Sequence, residues 1–154
     1  MIPLQGEHIC RVDAKGRFML PVALKNQLNA SLSNGFVIKR SILSPCLELF
    51  PRSNWDELIN KITSKLNRFV KRDNDFIRAY NAGLKELEID STGRILIPRD
   101  LAVIAGITSD IVVTAKMGCI EIWDKAKYDE VISETQTNIS ALAEDILGNI
   151  NLNE

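Results

Sequence analysis

Several features on which membrane proteins and metalloenzymes depend are missing from this sequence. The chain of 154 residues has one histidine, His8, and three separated cysteines that form no C-x-x-C pair. These counts exclude a two-histidine metal site and argue against a disulfide framework. The longest apolar run, residues 101–107, is far shorter than the roughly 20 residues that span a bilayer. We expect no membrane segment, no metal and no cofactor.

Signals for secretion and for catalysis are absent as well. The N-terminus lacks the basic and apolar regions of a signal peptide, so we expect a cytoplasmic protein. The sequence contains no glycine-rich phosphate-binding motif and no G-x-S-x-G motif. His8 is the one candidate for a catalytic base, and we interpret it instead as an exposed or strand-capping histidine. We therefore predict a protein that is not an enzyme and has no small-molecule substrate.

The charge of the chain is unevenly distributed. Residues 1–77 contain 12 basic and 7 acidic side chains, whereas residues 78–154 contain 7 basic and 13 acidic ones. The nearly neutral total argues against nonspecific coating of nucleic acid. A local basic surface within such a protein is compatible with specific DNA binding.

An internal repeat is the most informative feature of the sequence. The segment DAKGRFMLP at residues 13–21 recurs 77 residues later as DSTGRILIP at residues 90–98. A second pair, CLELF at 46–50 and CIEIW at 119–123, follows in the same order. Two matches in one order indicate two copies of a unit about half as long as the chain.

Local signals predict the same elements in both copies. Short strands flank each Asp-x-x-Gly turn, which predicts a β-hairpin. Asp13 and Asp90 can accept backbone N–H bonds in these turns, and Gly16 and Gly93 can adopt a positive φ. A proline then opens a short helix, and two strands follow. Each unit is therefore predicted to be ββαββ, in a protein of the α+β class.

A helical connector is predicted between the two units. Ser53, with Asp56 three positions later, resembles a capping box and would open a helix that continues to Val70. Residues 72–75 are expected to break it before a second helix at 76–82. One face of the first helix carries a basic stripe, which is either a solvated face or a surface for nucleic acid or an acidic partner. The stripe consists of Lys61, Lys65, Arg68 and Arg72.

The C-terminal part of the chain is predicted to form one long helix. Asp124 would cap it, and an apolar seam that includes Ile139 and Leu142 continues to about Gly148. Nothing within one small unit covers so long a seam. We therefore expect it to be a contact between subunits.

An arginine follows each turn directly. Arg17 and Arg94 occupy equivalent positions, and Arg11 and Lys15 add positive charge beside the first turn. An exposed hairpin of this kind can contact phosphates through lysine and guanine edges through arginine. The alternative is a purely structural turn, in which each arginine pairs with the aspartate four residues before it.

The two D-x-x-G-R motifs, with LFPxxxW after the first and EIWD after the second, resemble the MraZ family of bacterial transcription regulators. The likeness covers about residues 4–135. One motif would also suit AbrB-like DNA-binding domains or MazE-type antitoxins, and two copies in one chain favour MraZ. The resemblance implies an AbrB-like swapped-hairpin β-barrel, in which the two repeats interlock as a pseudo-dimer with flanking helices.

The resemblance also implies a function. It implies a cytoplasmic, nucleoid-associated regulator that forms a ring-shaped homo-oligomer, an octamer or a dodecamer, and binds double-stranded DNA. Its sites would be direct repeats in the promoter of the division and cell-wall gene cluster, which includes its own gene. The DNA-binding candidates are Arg17, Lys15, Arg94 and Arg11. The turn-shaping residues are Asp13, Gly16, Asp90 and Gly93. The alternative is an antitoxin-like or scaffolding interaction module whose hairpin arginines are structural.

Four parts of the chain are predicted from these patterns. They are a first AbrB-like repeat at 1–52, a helical connector at 53–83, a second AbrB-like repeat at 84–124, and a C-terminal helix with a polar tail at 125–154. Thr92 stands where the first repeat has Lys15, so the second turn should bind phosphate more weakly. The Ser44-Pro45 turn departs from the family pattern in lacking a glycine. The tail beyond residue 135 lies outside the resemblance.

Overall fold

Both repeats form the same succession of elements. The computed structural model describes residues 1–153. The first repeat and the connector contain β1 (Glu7–Arg11), β2 (Arg17–Met19), α1 (Val22–Leu28), a 3-10 helix (Asn29–Asn34), β3 (Phe36–Arg40), β4 (Leu47–Pro51), α2 (Arg52–Thr63) and α3 (Lys71–Tyr80). The second repeat and the C-terminal part contain β5 (Lys85–Leu87), β6 (Arg94–Leu96), α4 (Arg99–Ile104), β7 (Asp110–Lys116), β8 (Cys119–Asp124), α5 (Lys125–Gln136) and α6 (Ile139–Leu147). The predicted α+β class and the ββαββ order of each repeat are confirmed.

Strands of the two repeats pair with each other. The larger sheet has six strands in the order β1-β7-β8-β4-β3-β5, and a smaller sheet consists of β2 and β6. All of these ladders are antiparallel. β1 pairs with β7, and β5 pairs with β3, so the first strand of each repeat is bound to the third strand of the other. Neither repeat completes its sheet alone.

The hairpins predicted around the two turns do not form as paired ladders. β1 and β2 flank the first turn, but the ladder partner of β2 is β6. A backbone bond of 2.8 Å from the N–H of Asp13 to the carbonyl of Arg17 closes the turn, and Asp90 and Arg94 form the equivalent bond at 2.9 Å. The prediction was wrong because it assumed that strands adjacent in sequence pair with each other.

The core lies where the small sheet packs against the large one and against α1 and α4. Phe18 on β2 faces Ile95 on β6, and both side chains are buried. Leu24 from α1 and Leu101 from α4 are fully buried in the same cluster. Because side chains alternate along a strand, Phe18 points inward while its neighbours on β2 point outward. One of those outward neighbours is Arg17.

The connector helices are separated earlier than predicted. α2 ends at Thr63 rather than near Val70, and residues 72–75 lie inside α3. Ser53 does not cap α2, since Pro51 is the residue at the cap position and makes no side-chain bond there. The residues of the predicted basic stripe therefore do not share one helix face.

Side chains of α3 close the turn between α2 and α3. The Asp73 carboxylate accepts the backbone N–H of Asn67 at 2.8 Å. The Asn74 amide donates to the carbonyl oxygens of Arg68 at 2.6 Å and Val70 at 2.8 Å. These residues look like helix breakers in the sequence because their side chains bind nearby backbone groups. Here they bind the turn that precedes their helix.

The C-terminal segment forms two helices instead of one. Asp124 caps α5 as predicted, and its side chain accepts the N–H of Lys127. Helix α5 ends at Gln136, and α6 begins at Ile139. The large apolar side chains of α6 remain exposed. Among the helices of residues 1–153, none combines the length and the apolar character that a membrane span requires.

Alanine substitutions at two adjacent positions of β2 test its orientation. We expect Phe18→Ala to lower the free energy of unfolding by about 3 to 5 kcal/mol, because it removes a buried ring and leaves a cavity. Met19→Ala, at a side chain that is 50% exposed, should change it by less than about 1 kcal/mol. Urea denaturation of both variants measures the difference. Equal losses would contradict the inward orientation of Phe18.

Candidate functional site

The ladder between β2 and β6 brings the two Asp-x-x-Gly turns together. Arg17 lies opposite Leu96 in this ladder, and Arg94 lies opposite Met19. Each turn also accepts a backbone hydrogen bond from the residue that follows β2 or β6 in the other repeat. The N–H of Leu20 donates to the carbonyl of Gly93 at 3.0 Å, and the N–H of Ile97 donates to that of Gly16 at 2.9 Å. The turns therefore flank one short ladder.

The first turn is organised by one carboxylate. Oδ1 of Asp13 accepts the backbone N–H groups of Lys15 and Arg17, both at 2.9 Å. Oδ2 accepts Nε of the Arg17 guanidinium at 3.1 Å. Gly16 closes the turn with a φ of +86°, a conformation that glycine adopts without strain. The same aspartate therefore holds the turn and orients the arginine.

The second turn repeats this geometry with one addition. Oδ1 of Asp90 accepts the N–H groups of Thr92 at 2.9 Å and Arg94 at 2.8 Å, and Oδ2 accepts Nε of Arg94 at 3.0 Å. The hydroxyl of Thr92 also donates to Oδ1, at 2.8 Å. Gly93 has a φ of +87°. Thr92 thus replaces the charge of Lys15 with a bond that tightens the turn.

Backbone hydrogen bonds lower the pKa of both aspartates. The N–H of Arg17 contributes most to the lowered pKa of Asp13, and the N–H of Arg94 contributes most to that of Asp90. A smaller desolvation effect opposes both shifts, and the guanidinium groups reinforce them. Both carboxylates are therefore ionised at neutral pH and pair with their arginines as anions.

Each arginine is only partly used by its aspartate. The ion pairs engage Nε, and the side chains of Arg17 and Arg94 remain 25% and 32% exposed. Within residues 1–153 neither guanidinium donates from its terminal nitrogens to a protein acceptor. These nitrogens can donate to a phosphate or to the O6 and N7 atoms of guanine. The aspartate pair and a DNA contact are compatible, because the carboxylate binds Nε and leaves the terminal nitrogens unoccupied.

The other two candidate residues differ in their surroundings. Lys15 is exposed at the first turn and has no acidic partner within the described part of the chain. Arg11 is 78% exposed at the end of β1, and its Nε lies 3.5 Å from Oδ1 of Asp110, its ladder partner on β7. The structure therefore places Lys15 and Arg17 at one turn and Arg94 at the other. Arg11 stands apart at the edge of the large sheet.

Two cations that sequence reasoning missed lie against these turns. A Cβ built on Gly93 would lie only 2.6 Å from Nζ of Lys25, which comes from α1. Arg99, the first residue of α4, lines a cleft of about 350 Å³ together with Lys15 beside the first turn. Lys25 lies on α1 of the first repeat and approaches the second turn. Arg99 lies on α4 of the second repeat and approaches the first turn. No sequence signal marked them, because only the β2–β6 ladder brings them to these turns.

The residues considered for other chemistry do not assemble into a site. His8 lies within β1, neither exposed nor capping the strand, and its buried Nε2 has no partner in residues 1–153. No group of three or more His, Cys, Asp or Glu residues in that range could hold a metal ion. Burial raises the pKa of Cys46, and that of Cys119 to about 12, so both thiols stay protonated. Cys10 is half-buried.

The aspartates should contribute to stability in a pH-dependent way. Their pKa values are lower in the folded protein than the ordinary value of about 3.9, so their contribution is complete above that pH and is lost as the pH falls towards the folded pKa. We expect Asp90→Ala to be less stable than the wild type by an amount that is constant from pH 7 to about pH 5 and shrinks below about pH 4. Urea denaturation at several pH values measures this gap.

Asp13→Ala is the matched comparison for Asp90→Ala. Its loss of stability should be smaller, because Asp90 accepts the additional hydroxyl bond from Thr92. A gap between wild type and Asp90→Ala that is independent of pH would show that the ionised carboxylate does not stabilise the turn.

Comparison with known proteins supports one family. A family model described as "MraZ protein, putative antitoxin-like" matches residues 4–79 and 81–150. The transcriptional regulator MraZ of Flavobacterium psychrophilum is 51% identical over 154 residues, which are 100% of this chain and 98% of the relative. The protein of the same name from Christiangramia forsetii is 47% identical over 149 residues, with 97% and 96% covered. That from Cytophaga hutchinsonii is 34% identical over 142 residues, with 92% and 93% covered.

These matches also correct the extent of the likeness. The sequence motifs suggested that it ends near residue 135, but the family model continues to residue 150 and so includes α6. The tail was misjudged because it contains no motif as distinctive as the two turns. With both repeats and both C-terminal helices matched, the chain belongs to the MraZ family.

Proposed function

We propose that this protein is a DNA-binding transcriptional regulator that recognises specific sequences. One observation carries the proposal. The Nε atoms of Arg17 and Arg94 donate to aspartates, while the terminal nitrogens of both guanidinium groups are unoccupied. A guanidinium that is already oriented loses less conformational freedom on binding. The similar proteins are named transcriptional regulators, and this supports the same function.

The candidate residues divide the work of recognition between bases and backbone. Arg17 and Arg94 contact base edges, since two parallel N–H donors match the acceptors of guanine. Lys15 contacts a phosphate beside the first turn, and Arg11 adds a flanking contact from β1. The turn-shaping residues Asp13, Gly16, Asp90 and Gly93 hold the arginines in place and need no contact with DNA.

The proposal includes the assembly and the targets. The interlocked repeats, 1–52 and 84–124, form an AbrB-like swapped-hairpin β-barrel, joined by the connector 53–83 and followed by the segment 125–154. Subunits assemble into a ring of eight or twelve, in the cytoplasm and on the nucleoid. The ring binds direct repeats in the promoter of the division and cell-wall gene cluster that includes its own gene. Several weak half-sites bound together gain affinity through avidity.

A second candidate function is an antitoxin-like or scaffolding interaction module. The description of the matching family as antitoxin-like favours it. The exposed apolar face of α6 would then dock a partner protein, and the aspartate–arginine pairs would be purely structural.

Titration of labelled DNA by fluorescence anisotropy separates these two functions. We expect the wild type to bind DNA from upstream of its own gene more tightly than a scrambled duplex, with an affinity that falls steeply as salt rises. Arg17→Ala and Arg94→Ala should each lose about 1 to 3 kcal/mol of binding free energy per contacting subunit. Their melting temperatures should barely change, because an exposed ion pair contributes little to folding.

Arg78→Ala is the control for these variants. Arg78 also pairs with an aspartate, Asp75 at 3.3 Å, but it lies on α3 and not at either turn. Its affinity for DNA should equal that of the wild type. Equal binding to both duplexes, or none, would favour the interaction module. A large fall in melting temperature for Arg17→Ala would show that the arginines are structural.

The apolar face of α6 should hold subunits together. Ile139 and Leu142 are 47% and 41% exposed, and burying such a face against another copy is favourable. We expect Ile139→Glu combined with Leu142→Glu to lower the oligomer mass measured by light scattering. Leu43→Glu, at a side chain that is 86% exposed in the β3–β4 loop, is the control and should leave the mass unchanged. An unchanged mass for the α6 variant would refute the contact.

A further inference from the structure

The two turns differ in the cations that surround them. Among the positions at which the repeats differ, three near the turns have a cation in one copy and an uncharged residue in the other. The pairs are Lys15 and Thr92 at the turns, Arg99 and Val22 at the helix starts, and Lys25 and Ala102 within the helices. The repeats are therefore alike in backbone but unlike in charge.

The first turn borders an open cleft with two cations. Lys15 comes from the turn itself, and Arg99 comes from the start of α4 in the second repeat. The small side chain of Ala102 also lines the cleft, so its space is not filled. Asp13 is its one acidic lining residue, and its carboxylate is already occupied by two N–H groups and by Arg17. Neither Lys15 nor Arg99 has an acidic partner within residues 1–153.

The second turn has a lysine in the corresponding space. The half-buried side chain of Lys25 crosses from α1 in the first repeat to Gly93. A Cβ at position 93 would collide with the ammonium group of Lys25. Glycine at this position therefore permits both the positive φ and the close approach of Lys25. Lys25 has no acidic partner in the described part of the chain. The charge that Thr92 lacks is thus supplied by a different element.

We propose that Arg99 and Lys25 bind backbone phosphates of DNA, each serving the turn of the opposite repeat. Arg99 and Lys15 hold one phosphate in the cleft beside the first turn. Lys25 contacts a phosphate beside the second turn, in place of a lysine at position 92. This inference rests on the proposed DNA-binding function of the turns.

Charge and position support these assignments. Many surface cations of this chain are paired with carboxylates, such as Lys85 with Asp100 at 3.1 Å and Arg52 with Glu86 at 2.9 Å. The cations beside the turns, Lys15, Arg99 and Lys25, have no acidic partner within residues 1–153, so their charge is free to pair with an anion from outside the chain. Duplex DNA presents one negative charge per roughly 1.7 Å of its axis, and its phosphates would supply that anion.

The salt dependence of DNA binding tests the inference. Each phosphate contact that is lost should make the slope of log Kobs against log salt less steep by about 0.9 for each bound subunit. We expect this change in Arg99→Gln and in Lys25→Met, which keeps most of the aliphatic stem packed on Gly93. Phosphate contacts carry no sequence information, so the change should be equal on promoter DNA and on a scrambled duplex.

Two controls accompany the measurement. Lys65→Gln removes an exposed, unpaired lysine from the turn between α2 and α3, where the predicted basic helix face does not form, and should keep the wild-type slope. Arg99→Lys keeps the charge and should retain most of the slope. Thermal melting verifies that every variant is folded, and Lys25→Gln replaces Lys25→Met if the latter unfolds, with the same less steep slope then expected.

The outcomes distinguish this inference from the function on which it rests. If Arg17→Ala weakens binding while Arg99→Gln and Lys25→Met keep the wild-type slope, the phosphate contacts are refuted and the DNA-binding function stands. If the wild type does not bind DNA, both are refuted. If Lys65→Gln lowers the slope as much as the two turn variants, the phosphates are bound by general surface charge and the assignment is wrong.

Discussion

The three-residue ladder between β2 and β6 is the interaction on which the rest of the structure depends. It turns Phe18 and Ile95 into the core from opposite repeats, and these buried side chains stabilise a ladder too short to persist alone. It also fixes each turn against the strand end of the other repeat. The core and the proposed DNA-binding surface are therefore two faces of one small sheet. Neither exists within a single repeat.

At each end of this ladder one aspartate has two effects. Its first oxygen binds the backbone of the turn, and its second binds the following arginine. The structural and the functional interpretation of the D-x-x-G-R motif are for this reason compatible. Without its aspartate each arginine would lose the bond that orients it, and without its arginine each aspartate would leave an unpaired negative charge on the proposed DNA-binding surface. The pair therefore orders the turn and leaves the terminal nitrogens of the guanidinium unoccupied.

The two repeats share one scaffold but differ in the cations beside their turns. The backbone of both turns is nearly identical, with φ values of +86° and +87° at the glycines. The surrounding cations are not, since Lys15 and Arg99 border the first turn and Lys25 covers the second. Because each helix reaches the opposite turn, a substitution in one repeat changes the charge beside the other.

The sequence by itself determined the repeat, the ββαββ order, the turn residues and the cap at Asp124. These features depend on local chemistry, in which an Asx carboxylate, a glycine and a proline restrict their own neighbours. Only the tertiary structure decided which strands pair, where the connector helices break and which cations reach the turns. The partners β2 and β6 come from segments 77 residues apart, and local periodicity carries no information about such a pairing. Lys25 and Arg99 lie beside these turns because the β2–β6 ladder, with Phe18 and Ile95 buried beneath it, brings each turn against the opposite repeat.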